Sequence, residues 1–368
     1  MNSRERVLRA LKVKEGMPDR IPVQFDLCRQ LQDHFAKELG MESNYTKSIF
    51  EDVTYRISGN EIRLAMGSDV VIVGPSERAG FVSKTFDDGT WLNEYHMRMK
   101  QGDIYVEVTE CPLGHAKTKA DIDAFEWMDP ADPTRYADVE KYVAKYKNDN
   151  LVIGDIEVTI LSLAQQLVGM EKLLLDMAMQ EEYVEYLFEK CGEFQTKLGL
   201  ELIERGVDAI WVGDDFGSQT SLLFSPQMFR DMLKPYYKKM LDTFKKANPD
   251  IICMLHCDGA VSALLDDIRD VGFTVFNPVQ PGVPGHSAQE IKEGYGDKFA
   301  FWGAIDQQYL LPTGSDAEVE ADIKEKCEVI GEGGGYMIAP AHIMQSDVSP
   351  ERVKLFVDLC KKHGEYGK

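Results

Sequence analysis

The stretch Ile251-Ile-Cys-Met-Leu-His-Cys-Asp-Gly259 decides the fold, because it is a short apolar run that ends in polar residues. A run of this length, bounded by Pro249-Asp250 and by a glycine, is typical of a buried parallel strand. Side chains alternate along a strand, so His256 and Asp258 are predicted to share one face and Cys257 to take the other. Polar residues at the end of a buried strand are where α/β folds place their chemistry.

Apolar strand-like segments alternate with helical segments along most of the chain. Such alternation implies right-handed strand–helix–strand units, and eight of them imply a closed (β/α)8 TIM barrel, here predicted as a single domain over residues 1–368. An open doubly wound sheet is the alternative, disfavoured because no GxGxxG motif opens the first unit. The predicted strands are 21–25, 69–74, 151–157, 209–214, 251–257, 273–279, 299–305 and 335–340.

Two parts of the chain depart from this alternation. An N-terminal helical segment over 3–13, with Ser3 as candidate N-cap, precedes the first strand. Residues 81–110 predict a β-hairpin around Asp87-Asp-Gly89 that continues as a meander, too short for a core of its own and therefore an insertion. The further helices are predicted over 28–40, 45–66, 160–178, 181–205, 226–247 (with Ser225 and Pro226 as a strong start signal), 260–270, 287–293, 316–330 and 350–363.

The composition excludes several classes of partner. With 41 Lys and Arg against 62 Asp and Glu, the net charge is −21, which argues against binding to nucleic acid or to anionic membranes. No apolar run is long enough to span a bilayer, and Met1-Asn-Ser-Arg does not begin a signal peptide. The 7 cysteines lack a CxxC pair and fit reduced thiols, so a cytoplasmic location is expected.

Polar residues mark the ends of all the predicted strands, where a barrel places its active site. Their number and common position predict the rim of one pocket. Two alternatives stay open: Asp215 could cap the helix that starts at Ser225, and Asn277 could merely end its strand. The polar residues are Gln24, Asp26, Asp69, Asp155, Glu157, Asp214, Asp215, Gln219, His256, Asp258, Asn277, Gln280, Asp306, Gln307, His342 and Gln345.

Two histidines at the ends of different strands indicate a metal site. His256 is followed at i+2 by Asp258, and His342 follows the last predicted strand. A His/His/Asp set suits Zn²⁺ and leaves a fourth position open in a catalytic site. The thiolate of Cys257 would be the softer ligand, but strand alternation points it away. Whether Cys257 or Asp258 faces the metal is left open by the pattern.

At these residues the chain resembles the uroporphyrinogen decarboxylase superfamily, which includes the decarboxylase and zinc-dependent corrinoid methyltransferases. The resemblance covers essentially the whole chain and implies a (β/α)8 barrel. It rests on Gly213-Asp-Asp-Phe-Gly-Ser-Gln219, Ser225-Pro-Gln-Met-Phe229, Leu255-His-Cys-Asp-Gly259, Asn277-Pro-Val-Gln-Pro281, Phe301-Trp-Gly-Ala-Ile-Asp306 and Gly333-Gly-Gly-Tyr-Met-Ile-Ala-Pro-Ala-His342.

The ligand pattern favours the methyltransferase branch with a modified site. The similar methyltransferases bind zinc through His-x-Cys-Gly and a later Cys, whereas this chain has His256-x-Asp258-Gly259 and His342. Oxygen and nitrogen ligands make a harder site than thiolates, which suits a methoxylated or similar donor. The metal-free decarboxylase or lyase is the alternative. It is the poorer match, because Asp26-Leu-Cys-Arg-Gln30 lacks the second arginine of the decarboxylase motif Met-Arg-Gln-Ala-Gly-Arg.

The resemblance implies a role for each candidate residue. It implies Zn²⁺ on His256, Asp258 and His342, and a corrinoid (cobalamin) supplied by a partner protein that accepts the methyl group of a small-molecule donor. A non-catalytic binding or sensor protein on the same barrel is a third possibility, disfavoured by the many polar strand ends. The implied catalytic residues are Asp214, Gln219 and Asp306, and the implied substrate-binding residues are Asp155, Glu157, Asp215, Asn277 and Gln280.

Overall fold

A computed structural model describes residues 1–48, 55–102 and 106–367 of the chain. Its centre is a seven-stranded parallel sheet in the order β1-β5-β6-β7-β8-β9-β10, so each strand pairs with the next parallel strand along the chain. The fold is therefore mixed α/β, as predicted. The seven strands are β1 (Val70–Val73), β5 (Leu151–Asp155), β6 (Ala209–Gly213), β7 (Ile252–His256), β8 (Val275–Asn277), β9 (Ala300–Ile305) and β10 (Tyr336–Pro340).

The first predicted strand, 21–25, is not a regular strand. Val23 and Leu27 form isolated parallel bridges to Ile338 and Met344, on the β10 side. The N–H of Val23 donates to the Asp69 carboxylate at 2.8 Å instead of to a neighbouring strand. Pro22 has no N–H to add to a ladder. Seven of the eight predicted parallel strands are thus confirmed among the described residues, and the closed eight-stranded barrel stays a prediction.

The two faces of the sheet pack into separate clusters, as the alternation of side chains requires. One face carries an inner cluster that includes Ile153, Trp211, Met254 and Trp302, and the other face packs against the helices. Register places Gly213, His256 and Asn277 side by side at the carboxyl ends of β6, β7 and β8. Local strand geometry therefore points His256 inward, above the inner cluster.

The helices agree with the prediction in most places, and two details are wrong. The N-cap of α1 is Asn2, whose side chain accepts from Glu5 N, and Ser3 lies inside the helix. The predicted helix over 45–66 exists only as Asn60–Met66, after Gly59 in a left-handed conformation; residues 45–48 and 55–59 are not helical, and 49–54 lie outside the described residues.

The α-helices begin and end as follows: α1 Ser3–Ala10, α2 Arg29–Leu39, α3 Asn60–Met66, α4 Lys119–Asp123, α5 Ala137–Tyr146, α6 Leu161–Val168, α7 Met170–Met179, α8 Glu182–Glu204, α9 Pro226–Met228, α10 Lys234–Ala247, α11 Leu265–Val271, α12 Ala288–Tyr295, α13 Leu310–Thr313, α14 Asp316–Val329 and α15 Pro350–His363. Ser225 caps α9 as predicted, with its side chain accepting from Met228 N. Among the described helices, none has the length and apolar composition that crossing a membrane requires.

The predicted insertion is an antiparallel sheet of three strands, β2 (Trp91–Leu92), β3 (Arg98–Gln101) and β4 (Val106–Glu110). The turn predicted at Asp87-Asp-Gly89 is present in the structure. Gly89 has φ +81°, and Phe86 N donates to Thr90 O at 2.8 Å. The antiparallel prediction for 81–110 is therefore confirmed outside residues 103–105.

Candidate metal centre

The three predicted metal ligands converge at the carboxyl ends of β7 and β10. His256 ends β7, Asp258 follows two residues later, and His342 follows β10. Their ligand atoms all lie within 4.8 Å of one another, and Nε2 of His256 lies 3.8 Å from Oδ2 of Asp258. β7 and β10 are separated by two strands, so it is the curl of the sheet that brings them together. The cluster has the donor atoms of a divalent metal site.

His256 is held in one tautomer by its neighbours on β8 and β9. The Asn277 amide nitrogen donates to the carbonyl of Trp302 at 2.8 Å, which turns the amide oxygen toward His256. That oxygen lies 2.6 Å from Nδ1, so Nδ1 carries the proton and Nε2 presents a lone pair to Asp258. Asn277, which the sequence predicted to bind substrate, contacts the candidate ligand His256 and orients it.

The charges of the cluster fit a cation. Burial lowers the pKa of both His256 and His342, which keeps them neutral and able to ligate. Burial, and then the charge of Asp215, raise the pKa of Asp258 to about 7. Among the described residues, none donates a hydrogen bond to the Asp258 carboxylate. A divalent ion would supply the positive charge that this carboxylate lacks.

Cys257 faces away from the cluster. Its sulfur accepts from Phe216 N at 3.3 Å on the helix-packed face of the sheet, and the side chain is fully buried. Burial raises the pKa of this thiol well above its usual value, so a thiolate is disfavoured. Between the two residues that the sequence left open, Asp258 is the one beside the histidines.

A cavity of about 160 Å³ opens beside the cluster. Gly259 N donates to the Gln280 side-chain oxygen at 2.7 Å, and the Gln280 amide nitrogen donates to the Gln219 oxygen at 2.8 Å. These two hydrogen bonds fix the orientation of both side-chain amides. The amide nitrogen of Gln219 can therefore donate to a molecule in the cavity. Asp306 accepts from Gln308 N and Tyr309 N through one oxygen only. The lining residues are Gln219, Asp258, Gln280, Pro281, Asp306, Gln307, Gln308, Ala341 and His342.

Sequence reasoning missed Arg56, which lies buried beside the metal cluster. It forms ion pairs with Glu157 and with Asp26, and its Nη1 lies 3.7 Å from Asp155. Its guanidinium stands 4.5 Å from the ring centre of Trp211. No sequence signal could have found it, because an arginine within an expected helix gives no sign that distant carboxylates will bury it.

Two predicted pocket residues have other positions. Both oxygens of Asp214 are occupied: they accept from Ile160 N at 2.7 Å, from Ser162 N at 2.6 Å and from the Tyr237 hydroxyl. Asp214 therefore binds the start of α6 and is not among the residues that line the cavity, and its catalytic role stays a prediction. Asp69 precedes β1 at the opposite end of the sheet, where it accepts from Arg6 and Arg20, and so does not belong to the rim.

Three further predicted residues, Asp155, Glu157 and Asp215, lie at or next to the cluster. Asp215 accepts from Asp258 N at 2.8 Å, which positions the Asp258 backbone rather than capping α9. Asp155 accepts from Glu157 N at 2.7 Å, and burial raises its pKa to about 6. Glu157 brings an oxygen to 3.8 Å from His256 Nε2. The structure thus brings Glu157 to the cluster itself and leaves Asp155 and Asp215 one contact away.

Comparison with known proteins adds the family context. The family model described as "Uroporphyrinogen decarboxylase (URO-D)" matches residues 103–363. Methylcobamide:CoM methyltransferase MtaA from Methanosarcina barkeri is 26% identical over 206 residues, 56% of either chain. Uroporphyrinogen decarboxylase from Chloroherpeton thalassium is 26% identical over 182 residues, 49% of either chain. The chain thus spans about half the length of these curated relatives.

The fold is also similar to that of a solved structure. It is described as a "methyltransferase from Methanosarcina mazei", has a TM-score of 0.70 and 20% identity, and the match covers 98% of this chain and 99% of that one. At this identity the likeness concerns the fold alone. It agrees with the mixed α/β architecture described above.

Proposed function

The chain belongs to the uroporphyrinogen decarboxylase (URO-D) family, and we propose that it is a zinc-dependent methyltransferase. Its reaction moves a methyl group from a methylated, for example methoxylated, small-molecule donor to the cobalt of a corrinoid carried by a partner protein. The observation that carries the proposal is the set of His256, Asp258 and His342 ligand atoms beside a small cavity. The corrinoid part is supported by the name of the methylcobamide-dependent relative.

The ligand set defines what zinc would do here. Nε2 of His256, a carboxylate oxygen of Asp258 and a ring nitrogen of His342 would hold Zn²⁺ and leave a position for the donor. Zinc, when bound, supplies Lewis acidity to the donor atom from which the methyl group leaves. Asn277 keeps the His256 lone pair aimed at the site through its 2.6 Å contact with Nδ1.

The cavity residues would bind and orient the donor. The fixed amide of Gln219 presents N–H groups, and Asp306 presents the oxygen that its backbone contacts leave unused. A donor and an acceptor on one wall suit a small molecule with a hydroxyl, ether or amine group. Asp306 is also the carboxylate that would relay a proton from water to the leaving atom once the methyl group has departed.

The second candidate, a metal-free decarboxylase, is favoured by the curated relatives that bear that name. It requires arginines for a substrate rich in carboxylates. Among the described residues that line the cavity, none is a lysine or an arginine. Arg56 lies close by, but Glu157 and Asp26 already neutralise it. The charge of the site therefore favours the methyltransferase.

The test is the zinc content of the protein purified without chelator, for the wild type and for His256→Ala. We expect about one zinc per chain in the wild type and none in the variant. Cys257→Ala serves as the matched control and should keep its zinc, because the thiol faces the other side of the sheet. Zinc-loaded protein should then methylate cob(I)alamin from a donor found by screening methoxylated compounds. A wild type without metal would put the decarboxylase first.

We also propose the closed form of the fold. Residues 21–27 bridge to the β10 side at Val23 and Leu27, while Asp69 N donates to Val23 O at 2.9 Å. In this proposal the extended segment joins the two edges of the seven-stranded sheet and completes an eight-stranded barrel in one domain. The seven free cysteines support the expected cytoplasmic location.

A further inference from the structure

We propose that Glu157 is a fourth, exchangeable ligand of the metal held by His256, Asp258 and His342. In this arrangement Glu157 fills the fourth position until a methyl donor takes it, and Arg56 receives the displaced carboxylate. The inference rests on the proposed function, because it requires a metal in the cluster. It assigns to Glu157 a role different from the substrate contact that the sequence predicted.

The distances make Glu157 as well placed as Asp258 with respect to His256. Nε2 of His256 lies 3.8 Å from Oε1 of Glu157 and 3.8 Å from Oδ2 of Asp258. Two ligands bound at about 2.1 Å each can stand at most about 4.2 Å apart across one zinc ion. Glu157 therefore meets this limit against His256. Among the residues that the structure describes, the set of mutually close ligand atoms contains only His256, Asp258 and His342, so Glu157 must turn from Arg56 toward the metal to approach the other two ligands.

The backbone around Glu157 is shaped to hold its side chain at the site. A Cβ atom on the neighbouring Gly213 would collide with Cγ of Glu157, so only glycine at the end of β6 leaves room for it. The next residue, Val158, has φ +62°, a costly conformation for a β-branched residue. Its carbonyl accepts from the Gln195 amide at 2.8 Å. Strain that is held in place beside a candidate ligand indicates a positioned functional group.

Arg56 provides the second position for the Glu157 carboxylate. It is 3% exposed and forms an ion pair with the other oxygen of Glu157. Asp26 also binds this arginine, with Nε 3.2 Å from Oδ2, so Arg56 keeps one carboxylate partner when Glu157 turns toward the metal. Glu157 can therefore move its charge between a guanidinium and a cation without leaving either uncompensated.

The test compares Glu157→Gln with Glu94→Gln, because Glu94 is likewise a buried glutamate on a buried arginine. The Glu94 oxygens accept from Arg135 at 2.6 Å each, in the insertion and its surroundings. Zinc affinity is measured by competition with a chromophoric chelator. The coordination is followed by the visible absorption of the Co²⁺-substituted protein during titration with thiocyanate, a small anion that binds open metal positions.

We expect Glu157→Gln to weaken zinc by about 10–100-fold and to admit thiocyanate at lower concentrations than the wild type. Glu94→Gln should bind zinc and thiocyanate as the wild type does, even if it is less stable. Glu157→Asp keeps the charge but shortens the reach. It should admit thiocyanate as well, and it tests the inference should Glu157→Gln not fold.

The outcomes separate this inference from the proposed function. Loss of zinc in His256→Ala, with unchanged zinc affinity and unchanged thiocyanate response in both Glu157 variants, would overturn the role of Glu157 and leave the metal site standing. A wild type that binds no zinc would overturn both.

Discussion

The ends of β6 and β7 carry two aspartates that look alike in sequence and differ in the structure. Asp214 directly follows β6 and Asp258 lies two residues beyond β7, and burial raises the pKa of both carboxyls. Asp214 accepts from two backbone N–H groups and the Tyr237 hydroxyl. Among the described residues, none donates to the carboxylate of Asp258, which lies beside two histidines and a cavity.

The difference distinguishes a carboxylate whose oxygens are filled by hydrogen bonds from one that is free to bind a ligand. A raised pKa reports burial and does not distinguish the two residues. The hydrogen-bond donors do, because a carboxylate whose oxygens are filled by fixed N–H groups has no lone pair in the right direction for an ion. Asp258 keeps free lone pairs, and its negative charge stays poorly stabilised when no cation is bound.

Replacing each aspartate by alanine should give opposite results, and this is the largest effect we expect. Asp214→Ala leaves Ile160 N and Ser162 N without acceptors, and each such loss costs about 1–3 kcal/mol. Its free energy of unfolding, measured by urea denaturation of metal-free protein, should fall by about 3 kcal/mol or more. Asp258→Ala should remain within about 1 kcal/mol of the wild type and bind zinc at least about 100-fold more weakly. Equal stability losses in the two variants would remove the distinction.

Asn277→Ala sharpens the comparison by testing what orients the ligand next to Asp258. The variant leaves Nδ1–H of His256 without its acceptor, so Nε2 is no longer kept as the free nitrogen. We expect zinc binding to weaken by about 10–100-fold, or about 2 kcal/mol, in a chelator competition assay. Asn277→Asp keeps an acceptor at the same place and should bind zinc far better than Asn277→Ala. Wild-type affinity in Asn277→Ala would show that the amide does not position the ring.

The pH dependence of stability should distinguish Asp258 in the metal-free protein. The pKa of Asp258 is raised from 3.8 to about 7, so the folded protein keeps a proton that the unfolded chain releases. The free energy of unfolding should therefore decrease as pH rises from about 4 to 7, by about 1–2 kcal/mol for a side chain that is partly exposed. In the Asp258→Asn variant, this decrease in the free energy of unfolding with pH should be absent when urea denaturation is measured across the same range. An unchanged slope would mean that the charge of Asp258 is already compensated.

The smallest effect is expected for Cys257, the residue between His256 and Asp258. Cys257→Ala removes one buried sulfur and should lower the free energy of unfolding by about 1 kcal/mol. Zinc stoichiometry and affinity, measured as above, should not change, because the sulfur contacts Phe216 N on the opposite face. Loss of zinc from this variant would identify the thiolate as the ligand in place of Asp258.

Much of the fold was predictable because strand and helix patterns are local. The apolar runs predicted seven parallel strands that the structure contains, and the Asp-Asp-Gly turn predicted the insertion. The helix over 45–66 was predicted too long because apolar spacing continues through Gly59, whereas the backbone there turns into a left-handed conformation at φ +64°. Residues 56–58 are instead buried in tertiary contacts, such as the pair between Arg56 and Asp26.

The features of the candidate site also divide into those that the local sequence determines and those that tertiary contacts determine. The sequence by itself determined that His256 and Asp258 share a face and that Cys257 does not, because side chains alternate along any strand. The strand ends also predicted that His342 joins them, which the structure bears out. Only the tertiary structure decided that Arg56 is buried beside them and that the oxygens of Asp214 accept from donors at α6 and α10. Alternation depends on neighbouring residues of one strand. Ion pairs and hydrogen bonds depend on which distant segments the curled sheet brings within a few ångströms.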